Sequence, residues 1–390
     1  MISVSEALKH LITLVDPVPV EPTSLYSAAG RVLAQDVAAL RDQPPFAASA
    51  MDGYAVQKSG LTRGARFRVV GESAAGHGFL EPVNPGQAVR IFTGAPVPEG
   101  ADHVVIQEDV ERDGDQMIIT AEIDPKTYIR PAGSDFKRGQ NLPAPRRLSP
   151  SDIALLASMN LPLVPVRRKP VVAIISTGDE LVMPGENPNI DQIIASNCFG
   201  LKALLEDSGA AVRMLPIARD TLPALQLAFD LAAQADLIVT IGGASVGDHD
   251  LVATAGQKMG LKQAFYKVAM RPGKPLMAGR INGTAMVGLP GNPVSAMLCG
   301  HIFLIPMICH MLGLPAQATA PMLAPLGCDI PQNGLREHYM RARFDNRQLI
   351  PFDRQDSALL TVLAHANALL VRAPHAPAQT KGTLVPYLVL

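Results

Sequence analysis

The sequence lacks the features by which several common classes of protein are identified. Its four cysteines form no Cys-x-x-Cys pair and no obvious disulfide framework, which favours a reducing cytoplasm. The formal net charge is only −1, so a nucleic-acid-binding surface is not expected. The first ten residues contain neither the basic nor the apolar segment of a signal peptide. Neither GxxxxGK followed by Ser or Thr nor GxGxxG occurs, so P-loop and Rossmann dinucleotide sites are disfavoured.

Apolar sequence, by contrast, is abundant. Of the 390 residues, 48% are hydrophobic, which is enough for several domains with large cores. One stretch, 294–314, contains no Asp, Glu, Lys or Arg. It does contain Ser295, Gly300 and Pro306, and no basic residue lies near enough to anchor it at a membrane surface. We therefore expect a buried helix here rather than a membrane span.

From residue 171 onward, strands alternate with helices, which predicts a doubly wound parallel sheet. The strand at 237–241 is a continuous apolar run that leads into Gly242-Gly243, as expected of a strand buried on both faces. The other predicted elements are strands at 171–176 and 211–217, helices after Ser196 and at 222–233, and a hairpin of 276–281 with 284–289.

The rest of the chain predicts three further units, giving a multidomain α/β plus β fold. Helix-start signals at Ser3 and Ser149 suggest a helical stem of residues 1–40 and 136–167, in which the two helices pack together. Strand-like segments separated by Pro, Gly and Asp turns suggest an inserted β domain at 41–135. The doubly wound α/β domain spans 168–315, and a C-terminal β-barrel-like domain spans 321–390.

Several loops of the α/β domain carry chemistry-bearing residues and follow the carboxyl ends of predicted strands, where such sheets bind ligands. The candidate anion ligands are Lys267, Arg271 and Lys274, and the candidate metal or water ligands are Asp179, Glu180, Asp220, Asp248 and Asp250. Each loop by itself is also explained by an ordinary structural role, as a solvated acidic loop or a rigid turn. Together, at one end of one sheet, they predict a site for a phosphate ester with Mg²⁺.

The same loops resemble the molybdopterin molybdenumtransferase family, which comprises bacterial MoeA and the E domain of gephyrin. The motifs that carry the resemblance are SAMDGYAV (49–56), IFTGAPVPEGADHVV (91–105), AGSDFKRGQ (132–140), STGDEL (176–181), GGASVGDHD (242–250), MRPGKP (270–275) and GLPGNPVS (288–295). They occur in order over most of the chain.

The resemblance implies an enzyme of molybdenum cofactor biosynthesis whose α/β domain binds molybdopterin. It would use Mg²⁺, take adenylylated molybdopterin and molybdate as substrates, and hydrolyse the anhydride to release AMP. Glu180, Asp220 and Asp248 would hold Mg²⁺ or orient water, and Lys267, Arg271 and Lys274 would bind molybdate and phosphate. Asp52, Thr93 and Asp135 would complete the catalytic cleft from the other subunit of a homodimer.

The resemblance also implies a set of cofactor-binding positions. These are Ser176, Thr177, Gly178, Asp179, Gly242, Gly243, Ser245, Gly247, Pro290, Gly291, Asn292, Pro293, Arg341 and Ser357. Two features depart from the family pattern: Arg271 is often Lys, and the approach to Asp135 lacks the arginine-rich run of relatives. The expected setting is cytoplasmic, without membrane or nucleic acid, and with the molybdopterin adenylyltransferase as a possible partner.

Two other functions are compatible with parts of this pattern. A molybdopterin adenylyltransferase would use the same α/β domain, but it usually stands as a single domain, and the long flanking segments argue against it. A non-enzymatic scaffold is the other alternative, since the gephyrin relative also binds receptors. A complete set of acidic and basic site residues would be superfluous for scaffolding alone.

Overall fold

The structure is a computed structural model that describes residues 1–242, 256, 258, 260–316 and 321–390. Its central element is a six-stranded sheet. The strand order is Ala211–Met214, Val171–Ser176, Leu237–Ile241, Thr284–Leu289, Met277–Ile281 and Lys262–Tyr266. The first four strands are parallel, and the last two continue the sheet as antiparallel neighbours. The predicted doubly wound sheet is therefore confirmed.

Helices cover both faces of this sheet because the strands are apolar on both sides. The helix Leu222–Ala232 buries Leu225 and Phe229 against one face. The helix Asn197–Asp207 buries Leu201 and Leu205 against the other. The chain leaves Val171–Ser176 toward one edge of the sheet and then crosses back to Leu237–Ile241. This reversal of direction opens a crevice beyond the carboxyl ends of the two strands.

The charge-free apolar stretch forms a long helix in the core. It runs as Pro293–Cys299 and Ile305–Met311, joined by a π-helical turn at Gly300–Leu304. Pro306 has no N–H to donate to the preceding turn, which accounts for the local irregularity. By length and composition this helix could cross a membrane, but 72% of it is buried inside the protein. The prediction of a buried helix is confirmed.

The first helix, Val4–Ile12, packs differently from the prediction. It begins at the expected capping box of Ser3 and Glu6. Its buried residues, including Ala7 and Leu11, join the core of the α/β domain. The second helix, Pro150–Ser158, instead contributes Leu156 to a separate core. The expected packing of these two helices on each other was therefore wrong, because each has a larger apolar partner elsewhere.

The stem contains a sheet in addition to the helix Pro150–Ser158. Its four-stranded sheet has the order Val20–Ser24, Leu163–Arg167, Val32–Leu33 and Arg146–Arg147. Between the strands Val20–Ser24 and Val32–Leu33 lies a 3-10 turn, Leu25–Ser27. Val37–Ala38 also pairs with Asn141–Leu142, next to the start of the inserted region.

The inserted region forms its own sheet, in agreement with its predicted β character. The strand order is His103–Ile106, Gly53–Val56, Gln87–Ile91, Arg66–Ser73, Gln116–Ile119 and Val110–Asp113. A short pair, Ala48–Ser49 with Ile129–Arg130, lies beside it, and Gln107–Asp109 is a 3-10 turn. The core of the sheet contains Tyr54, Phe67 and Met117.

The C-terminal domain is a curled sheet that closes on itself. The strands Glu337–Asp345, Ala368–Arg372, Leu384–Val389 and Met322–Pro325 follow one another, and Gln348–Pro351 pairs with the first of them. A bridge between Leu326 and Leu349 joins the two ends, which matches the predicted barrel-like domain. A short helix, Leu360–His365, lies between two of the strands. Met270–Arg271, from the α/β domain, adds to this sheet as a parallel neighbour of Glu337 and His338.

Candidate active site

A cavity of about 630 Å³ lies in the crevice beyond the parallel strands. Three loops that follow strands form its floor. Thr177 makes a parallel bridge with Ala218, and the Gly178 N–H donates to the Ala218 carbonyl at 3.1 Å. The Gly242 N–H donates to the Leu289 carbonyl at 3.1 Å. These hydrogen bonds hold the loops side by side, so the cavity is a preformed part of the sheet edge.

Two glycines are required by the close approach of these loops. Gly178 has a φ of 144°, and a Cβ there would lie 2.3 Å from a carboxylate oxygen of Glu180. Gly242 has a φ of 93°, and a Cβ there would lie 2.7 Å from the Thr177 carbonyl oxygen. A side chain at either position would displace a loop or the Glu180 carboxylate.

Acidic side chains gather on one side of this larger cavity. Glu180 and Asp220 both line it, and the Asp220 N–H donates to Asp179 Oδ1 at 3.1 Å. Arg219 fixes the loop by donating to the Asp179 carbonyl at 2.7 Å. Burial, followed by repulsion from Asp179 and Glu180, raises the pKa of Asp220. The site therefore concentrates negative charge that a divalent cation would neutralise, and carboxylate oxygens are the ligands that Mg²⁺ prefers.

A second cavity, of about 350 Å³, adjoins the first and shares Pro275, Pro290 and Asn292 with it. Cationic side chains of Arg271, Lys274 and Arg336 line this smaller cavity. Ser357 and the buried Ser295 add hydroxyl groups. Asp356 also lines this cavity. Three cations outweigh this single carboxylate, and together with the hydroxyl donors they form a suitable site for a compact, multiply charged oxyanion.

The cations of the smaller cavity come from two domains. Arg271 lies on the short strand that pairs with the C-terminal sheet, where it is in register with His338. Arg336 donates to the Met270 carbonyl at 3.3 Å. Burial, and then the charges of Arg271, Arg372, Arg341 and Arg336, lower the pKa of His338 to about 4. His338 is therefore neutral, and the arginines provide the positive charge of this region.

A loop of the C-terminal domain carries Ser357 to the cavity. Gln355 fixes this loop, because its amide group accepts from the Arg341 N–H at 3.0 Å and donates to the Phe352 carbonyl at 2.7 Å. Arg341 is fully buried and donates to the Asp356 carbonyl at 2.8 Å. The Ser357 carbonyl in turn accepts from the Val294 N–H at 3.0 Å. Arg341 is thus placed as a support for the loop, outside the linings of both cavities.

The structure brings many of the predicted site residues together. Those that line one or both cavities are Ser176, Thr177, Gly178, Glu180, Asp220, Gly242, Arg271, Lys274, Pro290, Gly291, Asn292, Pro293 and Ser357. Gly243, Ser245, Gly247 and Asp248 lie outside the described residues. Of the three predicted metal ligands, Glu180 and Asp220 share a cavity. Within the described ranges, no group of three or more His, Cys, Asp or Glu side chains could hold a metal ion.

Lys267 is the third predicted cation. It has a φ of 74°, and its Nζ lies 5.1 Å from the centroid of the Tyr266 ring. The linings of both cavities omit its side chain.

The predicted site residues of the inserted domain, Asp52, Thr93 and Asp135, line neither of these two cavities. Asp52 Oδ1 accepts from the Thr93 N–H at 2.7 Å and from Thr93 Oγ1 at 2.8 Å. These two bonds lower the pKa of Asp52. Asp135 lines a third cavity, of about 700 Å³, together with Arg41 and Arg130. Residues 41–160 form this entire cavity, whereas residues from 176 onward form the other two.

Sequence reasoning missed several residues that line the site. Arg336, Gln355 and Asn197 belong to no recognised motif, and their segments are ordinary in composition. Asn197 lines the larger cavity and donates to the Gly291 carbonyl at 2.7 Å. Only the pairing of residue 271 with residue 338 brings Arg336 to the cavity. No local signal could have identified it.

Comparisons with known proteins agree with this arrangement. Residues 2–160 match the MoeA N-terminal region (domain I and II), residues 173–310 a probable molybdopterin binding domain, and residues 323–390 the MoeA C-terminal region (domain IV). A molybdopterin molybdenumtransferase of Haemophilus influenzae is 39% identical over 78% of this chain and 76% of its own length. Molybdopterin molybdenumtransferase 2 of Mycobacterium tuberculosis is 36% identical over 89% of both chains.

The fold comparison covers the whole chain. The crystal structure of the molybdopterin biosynthesis MoeA protein from Pyrococcus horikoshii OT3 is 26% identical and superimposes with a TM-score of 0.84. The match extends over 100% of this chain and 100% of that one.

Proposed function

The chain belongs to the molybdopterin molybdenumtransferase family, and we propose that it transfers molybdenum from molybdate to adenylylated molybdopterin, releasing AMP and molybdenum cofactor. The observation that carries this proposal is the pairing of a carboxylate-lined cavity with an adjoining cation-lined one. Adenylylated molybdopterin has an anhydride whose phosphate charge a metal ion would neutralise, and molybdate is a compact dianion. The two cavities match these two requirements separately.

Mg²⁺ fits the larger cavity, with Glu180 and Asp220 as its protein ligands and Asp248 as the third predicted ligand. When bound there, Mg²⁺ would neutralise negative charge on the anhydride phosphates. The chain's own contribution is to hold both carboxylates near the anhydride. Arg219 and Asp179 maintain this geometry by fixing the backbone of the loop on which Asp220 lies.

Molybdate fits the smaller cavity. Arg271, Lys274 and Arg336 would surround its oxygen atoms with positive charge, and Ser357 would donate a hydrogen bond. The shared boundary at Pro290 and Asn292 would place the dianion beside the substrate in the larger cavity. Lys267 remains a predicted anion ligand.

A homodimer with its active sites between subunits is the proposed assembly. The support is that the cavity lined by Asp135, formed by residues 41–160, shares no lining residue with the two proposed substrate cavities. In the proposed dimer, the partner subunit brings Asp135 to the substrate. The test mixes equal amounts of Asp52→Asn and Asp220→Asn chains after each has been purified. Mixed dimers would each hold one intact site, and we expect about a quarter of the wild-type rate after random exchange. Activity no higher than the sum of the two variants would refute the shared site.

The proposed setting is the cytoplasm, which four free cysteines support. The molybdopterin adenylyltransferase is the proposed upstream partner, because the chain needs an adenylylated substrate. A chain that was itself an adenylyltransferase would need only the domain matched by residues 173–310. The matches over 2–160 and 323–390 favour the molybdenum-inserting enzyme.

The decisive experiment measures AMP release. The purified chain is mixed with adenylylated molybdopterin and Mg²⁺, with and without molybdate, and AMP is separated and quantified. We expect AMP release that requires both Mg²⁺ and molybdate. Release that is indifferent to molybdate, or AMP formed only when ATP is supplied, would contradict the proposal.

A further inference from the structure

Three isoleucines near the larger cavity are exposed to an unusual degree for their type. Ile190 is 98% exposed, Ile193 58% and Ile194 38%. Isoleucine is among the residues most often buried, so a cluster of three within five positions calls for a partner. Ile193 and Ile194 line the larger cavity, whereas Ile190 does not.

The backbone fixes the two cavity-lining isoleucines firmly in place. Ile193 and Ile194 pair in parallel with Leu181 and Val182. The Ile193 N–H donates to the backbone carbonyl of Glu180 at 2.8 Å, so the two segments lie side by side. Ile193 and Ile194 therefore form an apolar wall of the cavity, and its backbone pairs with the segment that follows Glu180.

The chemistry of this wall differs from that of the rest of the cavity. Phosphate oxygens, molybdate and Mg²⁺ gain nothing from contact with isoleucine side chains. A planar aromatic heterocycle does gain, because its face is apolar while its edges reach polar groups. Ala358, from the C-terminal domain, also lines the cavity and adds apolar surface.

We infer that Ile193 and Ile194 form the wall against which a planar nitrogen heterocycle of the substrate packs, in the cavity that Glu180 also lines. This inference rests on the proposed function, because adenylylated molybdopterin supplies such rings in its adenine and its pterin. The two isoleucines are specificity-determining residues that contribute to binding and take no part in bond breaking.

The test compares Ile193→Ala, Ile194→Ala and the double variant with Ile190→Ala as a matched control from the same loop. We expect the double variant to raise KM for adenylylated molybdopterin about tenfold, while kcat and the KM for molybdate stay within about twofold. Ile193→Leu should restore most of the affinity, and Ile190→Ala should change neither constant. Unchanged KM in the double variant, or an equal effect of Ile190→Ala, would overturn the inference.

A binding measurement identifies the ring without requiring turnover. The chain has no tryptophan, so pterin fluorescence can be followed with little protein background, and AMP binding can be followed by calorimetry. If the Ile193→Ala, Ile194→Ala double variant binds molybdopterin more weakly than the wild type but binds AMP equally well, the wall contacts the pterin. If it binds AMP more weakly but molybdopterin equally well, the wall contacts the adenine. Unchanged binding of both would overturn the inference. If the wild-type chain shows no molybdate-dependent AMP release, the proposed function fails, whereas this measurement still decides whether the wall binds a ring.

Discussion

The larger cavity contains the carboxylates of Glu180 and Asp220, whereas the smaller one contains three cations and a single acidic residue, although the two adjoin and share three residues. The carboxylates come from loops that follow neighbouring strands of one sheet, so the doubly wound topology alone brings them together. The cations come from two domains, and the pairing of Met270–Arg271 with Glu337–Asp345 unites them. The positions of the carboxylates thus depend on the topology of one sheet, whereas the positions of the cations depend on how two domains pack together.

The largest expected effect concerns the acidic cavity. Asp220→Asn removes one of its carboxylates while keeping the side-chain shape, and we expect Mg²⁺-dependent AMP release to fall by about 10²–10³-fold at saturating molybdate. Because the pKa of Asp220 is raised, protons compete with Mg²⁺, and the Mg²⁺ requirement of the wild type should increase as the pH is lowered through that pKa.

The exposed Asp230→Asn on the neighbouring helix serves as the control for this change. It should leave the rate unaffected. If Asp220→Asn lowered only the affinity for molybdate, the assignment of separate roles to the two cavities would fail.

A smaller effect is expected in the basic cavity. Arg336→Ala should raise KM for molybdate by about 10–100-fold, because a charged hydrogen-bond donor to a dianion is lost, while kcat at saturating molybdate changes little. The KM of Arg336→Lys for molybdate should lie between the values of Arg336→Ala and the wild type, since lysine retains the charge but lacks the planar guanidinium group. Steady-state rates over a range of molybdate concentrations measure this effect.

Arg354→Ala provides the matched control, because Arg354 is an exposed arginine of the C-terminal domain, lies on the loop that carries Ser357, and does not line the smaller cavity. It should leave KM for molybdate unchanged. An equal rise in both variants would mean that general positive potential, rather than the cavity, attracts the anion.

The smallest effect on activity, but a clear one on stability, concerns His338. The unfolded chain protonates this histidine near its ordinary pKa of 6.5, whereas the folded chain resists protonation until about pH 4. The free energy of unfolding should therefore fall as pH is lowered from 6.5 to 4, with a contribution of roughly 2 kcal/mol from this residue. His338→Gln, which cannot titrate, should lose less stability over that range and keep normal AMP release at neutral pH.

Urea unfolding at several pH values measures this slope. The predicted role of His338 would be refuted if the free energy of unfolding fell by the same amount with decreasing pH in the wild type and in His338→Gln. It would then follow that burial and the surrounding arginines do not hold His338 neutral in the folded chain.

Local patterns in the sequence identified the central sheet well. The strands at 171–176, 237–241 and 284–289 were found within a residue of their observed bounds, because apolar runs bounded by glycine leave few alternatives. The stem was less predictable. Its segments at Val20–Ser24 and Val32–Leu33 are short, and they become strands only by pairing with Leu163–Arg167, far along the chain.

By itself the sequence determined which loops carry the chemistry, since strand ends, glycines and charged side chains occur together at 176–180 and 219–220. It also determined the family, through motifs spread over most of the chain. Only the tertiary structure decided that Arg336 lines the site, that Arg341 supports a loop instead, and that Ile193 and Ile194 face a cavity. The physical reason is that local patterns report burial and turns, whereas these positions depend on contacts between segments distant in the chain.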